Sequence, residues 1–162
     1  MSFERALGAL NELKRDEVVS EYAIAGALAL LFWIEPVATY DLDVLVFLPE
    51  ASGPIVSLAP IYRWAERHGY RTDKEHIIVE SLPVQFVPAH SALADEAIET
   101  AAELSYGNTR TRVVRPEYLI LLYLEGSAAT LKRRERAAAL RESGKIDDAL
   151  LHALAQRFKI RL

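Results

Sequence analysis

The sequence predicts an α/β fold: a mixed β-sheet flanked by helices, with a small helical annex at the C-terminal end. Three observations lead there. Stretches with helical apolar spacing alternate with short β-branched or aromatic runs through the first two thirds of the chain. The run Tyr40-Asp41-Leu42-Asp43-Val44-Leu45-Val46-Phe47-Leu48 is apolar on both alternating faces once past its two acids, as expected of a central strand covered on both sides. After Pro116 only helical patterns remain. A length of 162 residues suits one domain, divided into an α/β core over 1–115 and a C-terminal helical segment over 116–162 packed on the same domain.

Each element follows from local chemistry. Phe3, Leu7, Leu10 and Leu13 recur at helical spacing among charged residues, which predicts an amphipathic surface helix with Ser2 as N-cap. Residues 21–25 read as a short strand, Gly26 as a turn, and 27–34 as a buried helix halted by Pro36. The strand over 40–48 is closed by Pro49, and 55–68 gives a second amphipathic helix ended by Gly69. Strand-like runs follow at 76–80 and 83–87, then a helix at 93–102. Between 104 and 114, Gly107-Asn108 reverses the favoured hairpin dipeptide and leaves strand and loop both open. Pro116 is placed as a first helical residue, and further helices are expected over 131–141 and 147–158.

Composition narrows the function classes. With 51% hydrophobic and 26% charged residues the chain can bury a real core. The absence of cysteine excludes disulfides, thiolate metal sites and thiol nucleophiles. No apolar signal region opens the chain, and its longest apolar run, from Tyr22 to Ile34, is too short for a bilayer. The expectation is a cytoplasmic protein with no membrane partner. A net charge of -4 gives no support for non-specific nucleic-acid binding, so any such contact needs a local basic patch. Lys132, Arg133, Arg134 and Arg136, with Arg110, Arg112 and Arg115, could form one, although most such runs are solvated helix faces.

Asp41 and Asp43 are the strongest chemical signal. Two apart on a strand, their carboxylates leave the same face about 6.6 Å apart along the chain and can share a ligand. Carboxylates repel each other and resist desolvation, so a fold that gathers two at the mouth of an apolar strand commonly does so for a cation. Oxygen ligands of this kind suit Mg²⁺ or Mn²⁺. The bland alternative is that Asp41 is a loop residue, or a partner for a nearby Arg, and that Asp43 stands at an exposed strand end. His68, His76, His90 and His152 show no metal spacing, and neither a Walker loop nor a Gly-X-Ser-X-Gly elbow is present. Trp33 and Trp64 lie in apolar helical stretches and read as core.

The run Tyr22-Ala23-Ile24-Ala25-Gly26-Ala27-Leu28-Ala29, followed by Glu35-Pro36-Val37-Ala38-Thr39-Tyr40-Asp41-Leu42-Asp43, resembles the signature of the nucleotidyltransferase superfamily, especially its minimal and AbiEii-toxin-like groups. The resemblance implies metal ligation by Asp41 and Asp43, with nucleotide contacts from Gly26, Ala27 and Thr39 near a helix start. A weaker likeness continues through Leu82-Pro83-Val84-Gln85-Phe86-Val87-Pro88, where Gln85 takes the position of a third carboxylate and is carried over as a metal ligand. Tyr123 aligns with a common lysine, which leaves Lys132 or Arg133 as the cation for a triphosphate. The implied activity is nucleotidyl transfer from a nucleoside triphosphate to an RNA or protein acceptor, of toxin-antitoxin type with an antitoxin partner. Gln85, Tyr123 and the single glycine equally suit a non-catalytic binding or regulatory module.

Overall fold

The computed structural model describes residues 2–34, 41–49, 57–126 and 129–162. Among these, seven strands form one sheet: β1 (Glu21–Ala25), β2 (Leu42–Phe47), β3 (Arg71–Asp73), β4 (His76–Val79), β5 (Leu82–Pro88), β6 (Ala102–Tyr106) and β7 (Thr109–Val113). Their order is β3-β4-β5-β2-β1-β7-β6, with β2 in the middle as its two-sided apolar pattern requires. The sheet is mixed: β2 runs antiparallel to β1 and parallel to β5, and β1 runs parallel to β7.

The helices are α1 (Ser2–Arg15), α2 (Ala59–Arg67), α3 (Ala92–Glu99), α4 (Pro116–Leu124), α5 (Leu131–Glu142) and α6 (Asp148–Phe158). Leu7, Leu10 and Leu13 of α1 are fully buried. The Tyr22 hydroxyl donates to Asn11 Oδ1 on that helix at 2.7 Å, so α1 covers the face that Tyr22 and Ile24 share. The Trp64 indole on α2 joins it by donating to Asp16 at 2.9 Å. On the other face α3 packs on β1 and β2, and Ala25, Asp43 and Leu45 line a cleft shared with α4. Helix α4 is apolar nearly all round and packs against α3, α5 and α6, which explains its lack of an exposed polar face. Buried Glu117 on α4 accepts from the Asp147 backbone N–H at 3.2 Å, and Asp147 in turn caps α6 by accepting from Leu150 N–H at 3.0 Å.

Several elements differ from the sequence reading. The buried helix after Gly26 is a 3₁₀ segment, Ala27–Phe32, closed by a bond from Trp33 N–H to the Leu30 carbonyl at 3.1 Å. Helix α2 begins at Ala59 because Pro60, with no N–H to give, is tolerated only in a first turn. The helix expected to reach residue 102 ends at Glu99, and Ala102 opens β6. The Gly107-Asn108 segment is a two-residue hairpin loop between paired Tyr106 and Thr109, with positive φ at Gly107 and not at Asn108, the pattern of a type II′ turn. Edge strand β3 is wholly exposed and has no apolar pattern to announce it.

Candidate active-site cleft

Cross-strand register builds one side of the site. Asp43 on β2 lies opposite Gln85 on β5, which lies opposite His76 on β4; on the other side Asp43 pairs with Ala25 at the end of β1. Gly26 follows at once with φ 60° and ψ -159°, a backbone region open essentially only to glycine. A Cβ there would collide with the Asp43 carboxylate, lying 2.8 Å from its Cβ and 2.9 Å from its Cγ. The acid is therefore packed directly on the glycine bend.

Asp41 stands just before β2, half-exposed, with a carboxylate oxygen 3.7 Å from His76 Nε2. That separation is within ion-pair range but too long for a hydrogen bond, and the buried Nε2 has no hydrogen-bond partner. The Asp43 carboxyl is pushed above the ordinary aspartate range, first by burial and then by the charge of Asp41, while His76, Arg136 and Arg133 pull the other way. An acid held in this condition gains from a cation.

The remaining walls come from the helices. A cleft of 480 Å³ is lined by the Asp43–Gln85 floor, by His90 and Ser91 before α3, by Tyr123 on α4, and by Arg133 and Arg136 on α5. The Tyr123 hydroxyl donates to the Gly26 carbonyl at 2.6 Å, and burial drives its pKa far upward, so it stays a phenol. Arg133 donates to the Leu122 carbonyl at 2.7 Å. A wider hollow of 960 Å³ runs along α5 and the C-terminal residues, and neither Asp41 nor Asp43 lines it.

Among the expected site residues, Gly26, Asp43 and Gln85 line this cleft and Asp41 flanks it. Ala27 is buried and outside the lining, and Lys132 is exposed on α5 and also outside it. Thr39 lies outside the described residues, as do Glu35, Pro36 and Tyr40. The wider basic patch is divided: Arg110 and Arg112 pair with Glu103, and Arg115 donates to the Thr100 carbonyl. Sequence reasoning gives His76 no role and names Arg136 only as one member of the basic run, without setting it apart from Lys132 and Arg134. The first becomes visible only through strand register, and the second through the i, i+3 spacing that puts it on one helix face with Arg133.

Among the described residues no cluster of three or more His, Asp or Glu is gathered as a metal site. Two carboxylates with the Gln85 amide oxygen nonetheless fit a single hard cation, because Mg²⁺ commonly takes one or two carboxylates and completes its octahedron with water and phosphate. The cross-strand pairing that sets Gln85 beside Asp43 at the cleft floor, with Asp41 two residues before it, is the observation that supports this fit.

By sequence the chain matches no family model and no curated protein. Solved structures do resemble it. The crystal structure of ANT(2'')-Ia in complex with adenylyl-2''-tobramycin superposes with a TM-score of 0.63 at 14% identity, over 98% of each chain. The solution structure of ANT(2'')-Ia gives 0.53 at 15% identity, over 98% of this chain and 95% of that one. A nucleotidyltransferase-like protein from Paracoccidioides brasiliensis gives 0.55 at 14% identity, over 96% and 88%. At such identities the likeness speaks for architecture, and on that ground the chain has the nucleotidyltransferase fold.

Proposed function

We propose that the chain is a metal-dependent nucleotidyltransferase that moves a nucleotidyl group from a nucleoside triphosphate to an acceptor hydroxyl. The observation that carries this reading is the seating of Asp43 on the Gly26 bend, beside Asp41 and at the floor of a cleft whose far wall is cationic. Asp41 and Asp43 hold Mg²⁺ or Mn²⁺, with Gln85 as a neutral third ligand. When bound, the ion neutralises charge on the phosphate oxygens as a Lewis acid. Gly26 keeps the floor free of side-chain bulk, so the backbone can approach phosphate there. Residues 1–115 supply this acidic floor, and 116–162 supply the cationic wall.

The transfer forms a bond from the acceptor oxygen to the α-phosphorus and breaks the bond to the bridging oxygen, so that pyrophosphate leaves. Positioning and charge neutralisation supply most of the rate. Gln85 cannot take the proton that the acceptor loses. His76, next in the same cross-strand row and with a buried nitrogen lacking a partner, is the nearby base that can.

The resemblance of the sequence to AbiEii-like proteins supports an RNA or protein acceptor and an antitoxin partner. A small-molecule acceptor has support from the neighbour solved with adenylyl-2''-tobramycin. The test is transfer of α-labelled nucleotide to RNA, to protein and to hydroxyl-rich small molecules. Asp43→Asn and Asp41→Asn are each expected to lower transfer by at least about 100-fold, the scale of losing a key charge-stabilising group. Transfer at the parent rate by both variants would remove the proposal.

A further inference from the structure

Helix α5 presents an inward stripe at i, i+3, i+4 and i+7: Arg133, Arg136, Ala137 and Leu140. Ala137 and Leu140 are buried, as an inward stripe requires, while Lys132, Arg134 and Glu135 are exposed. The two arginines occupy the part of the stripe that runs over the cleft, where both line its wall. Arg133 is anchored, since it donates to the carbonyl of Leu122. Arg136 is different: its Nε is buried and has no hydrogen-bond partner. A guanidinium donor shut away from water without an acceptor is costly, more so than a neutral one. Both arginines act on Asp43 and Tyr123 through their charge.

We propose that Arg136 is the residue that receives the phosphate chain of the nucleotide, its unpartnered Nε being a donor kept for a phosphate oxygen. This inference rests on the nucleotidyl-transfer reading and adds to it the cation that replaces the lysine absent at Tyr123. The cleft is then divided by charge. Its acidic floor takes the metal, and Arg136 takes the phosphates from the opposite wall, where the planar fork of a guanidinium suits phosphate oxygens. Lys132, one residue from Arg133 and turned outward, has no part in it.

Calorimetric titration of the full chain with inorganic tripolyphosphate and with ATP, both with Mg²⁺, tests this assignment. Arg136→Gln is expected to weaken both by about tenfold or more, the scale of one charge-assisted hydrogen bond. Arg136→Lys should recover part of that affinity, and Lys132→Ala should bind as the parent does. Thermal melting of the ligand-free protein gives the readout that separates binding from structure. Removing an unpartnered buried donor leaves the midpoint unchanged or raises it, whereas a structural arginine would lower it. Parent-like affinity of Arg136→Gln for both probes, with the parent binding them, overturns this assignment and leaves the nucleotidyl-transfer reading standing. A parent that binds neither probe overturns both.

Discussion

At the scale of single residues, the site turns on the fit between Gly26 and Asp43. Two independent constraints meet at this glycine: a backbone conformation that other residues avoid, and a neighbouring carboxylate in the space where a Cβ would stand. Gly26→Ala therefore has no good option. It must strain the backbone, by roughly 1–3 kcal/mol, or push Asp43 off the floor of the cleft. We expect a lowered melting temperature together with transfer activity reduced more than the stability loss explains. An alanine variant that keeps full activity would mean that Asp43 does not need its seat on the bend. The sequence made this pairing legible in part: a lone glycine after an apolar strand and an Asp-X-Asp run are both visible by eye. Their contact depends on the Ala25–Asp43 register, which no local pattern encodes.

At the scale of elements, strand β2 was the most readable because its apolar residues leave it no solvent face, and its central place followed. The amphipathic α1 was equally plain. Edge strand β3 is not, since Arg71-Thr72-Asp73 is exposed throughout and its only strand neighbour is β4. The 3₁₀ segment is indistinguishable from an α-helix in the sequence because apolar runs carry no information about hydrogen-bond spacing. The place of His76, and of Arg136 within its basic run, is hidden for a related reason: each reaches the site through tertiary placement, one across two strands and one from the helical wall of the cleft. Tyr123 shows how the helical annex and the sheet are tied together. Its phenol joins α4 to the glycine bend through the Gly26 carbonyl, and removing the hydroxyl leaves that carbonyl without this donor. Tyr123→Phe is expected to cost about 1 kcal/mol in denaturant unfolding and to weaken nucleotide binding by loosening the bend. Unchanged stability and unchanged binding together would show that the bend holds its shape without the annex.

At the scale of the whole molecule, stability and ligand binding should be linked through the charge on Asp43. Its carboxyl titrates above the ordinary value of 3.8, chiefly because it is buried and faces Asp41. The native chain thus holds this proton more tightly than the unfolded chain does. The stabilisation associated with the protonated form is fully present below the unfolded pKa and is lost as pH rises through the raised native one. Asp43→Asn carries no such charge, so in the absence of metal it should melt higher than the parent at neutral pH, and the difference should vanish in acid below the ordinary aspartate value. Magnesium acts in the opposite sense. By binding the ionised pair in the native state alone it raises the parent's melting temperature by mass action, with an effect that fades as pH falls through the raised pKa and is missing from Asp43→Asn. Thermal melts of both proteins across that pH range, with and without millimolar Mg²⁺, read the two effects separately. If the metal shift persists in the variant, the ion binds elsewhere; if the variant melts lower than the parent at neutral pH, the Asp43 charge serves the fold, and the cation seat loses its physical basis.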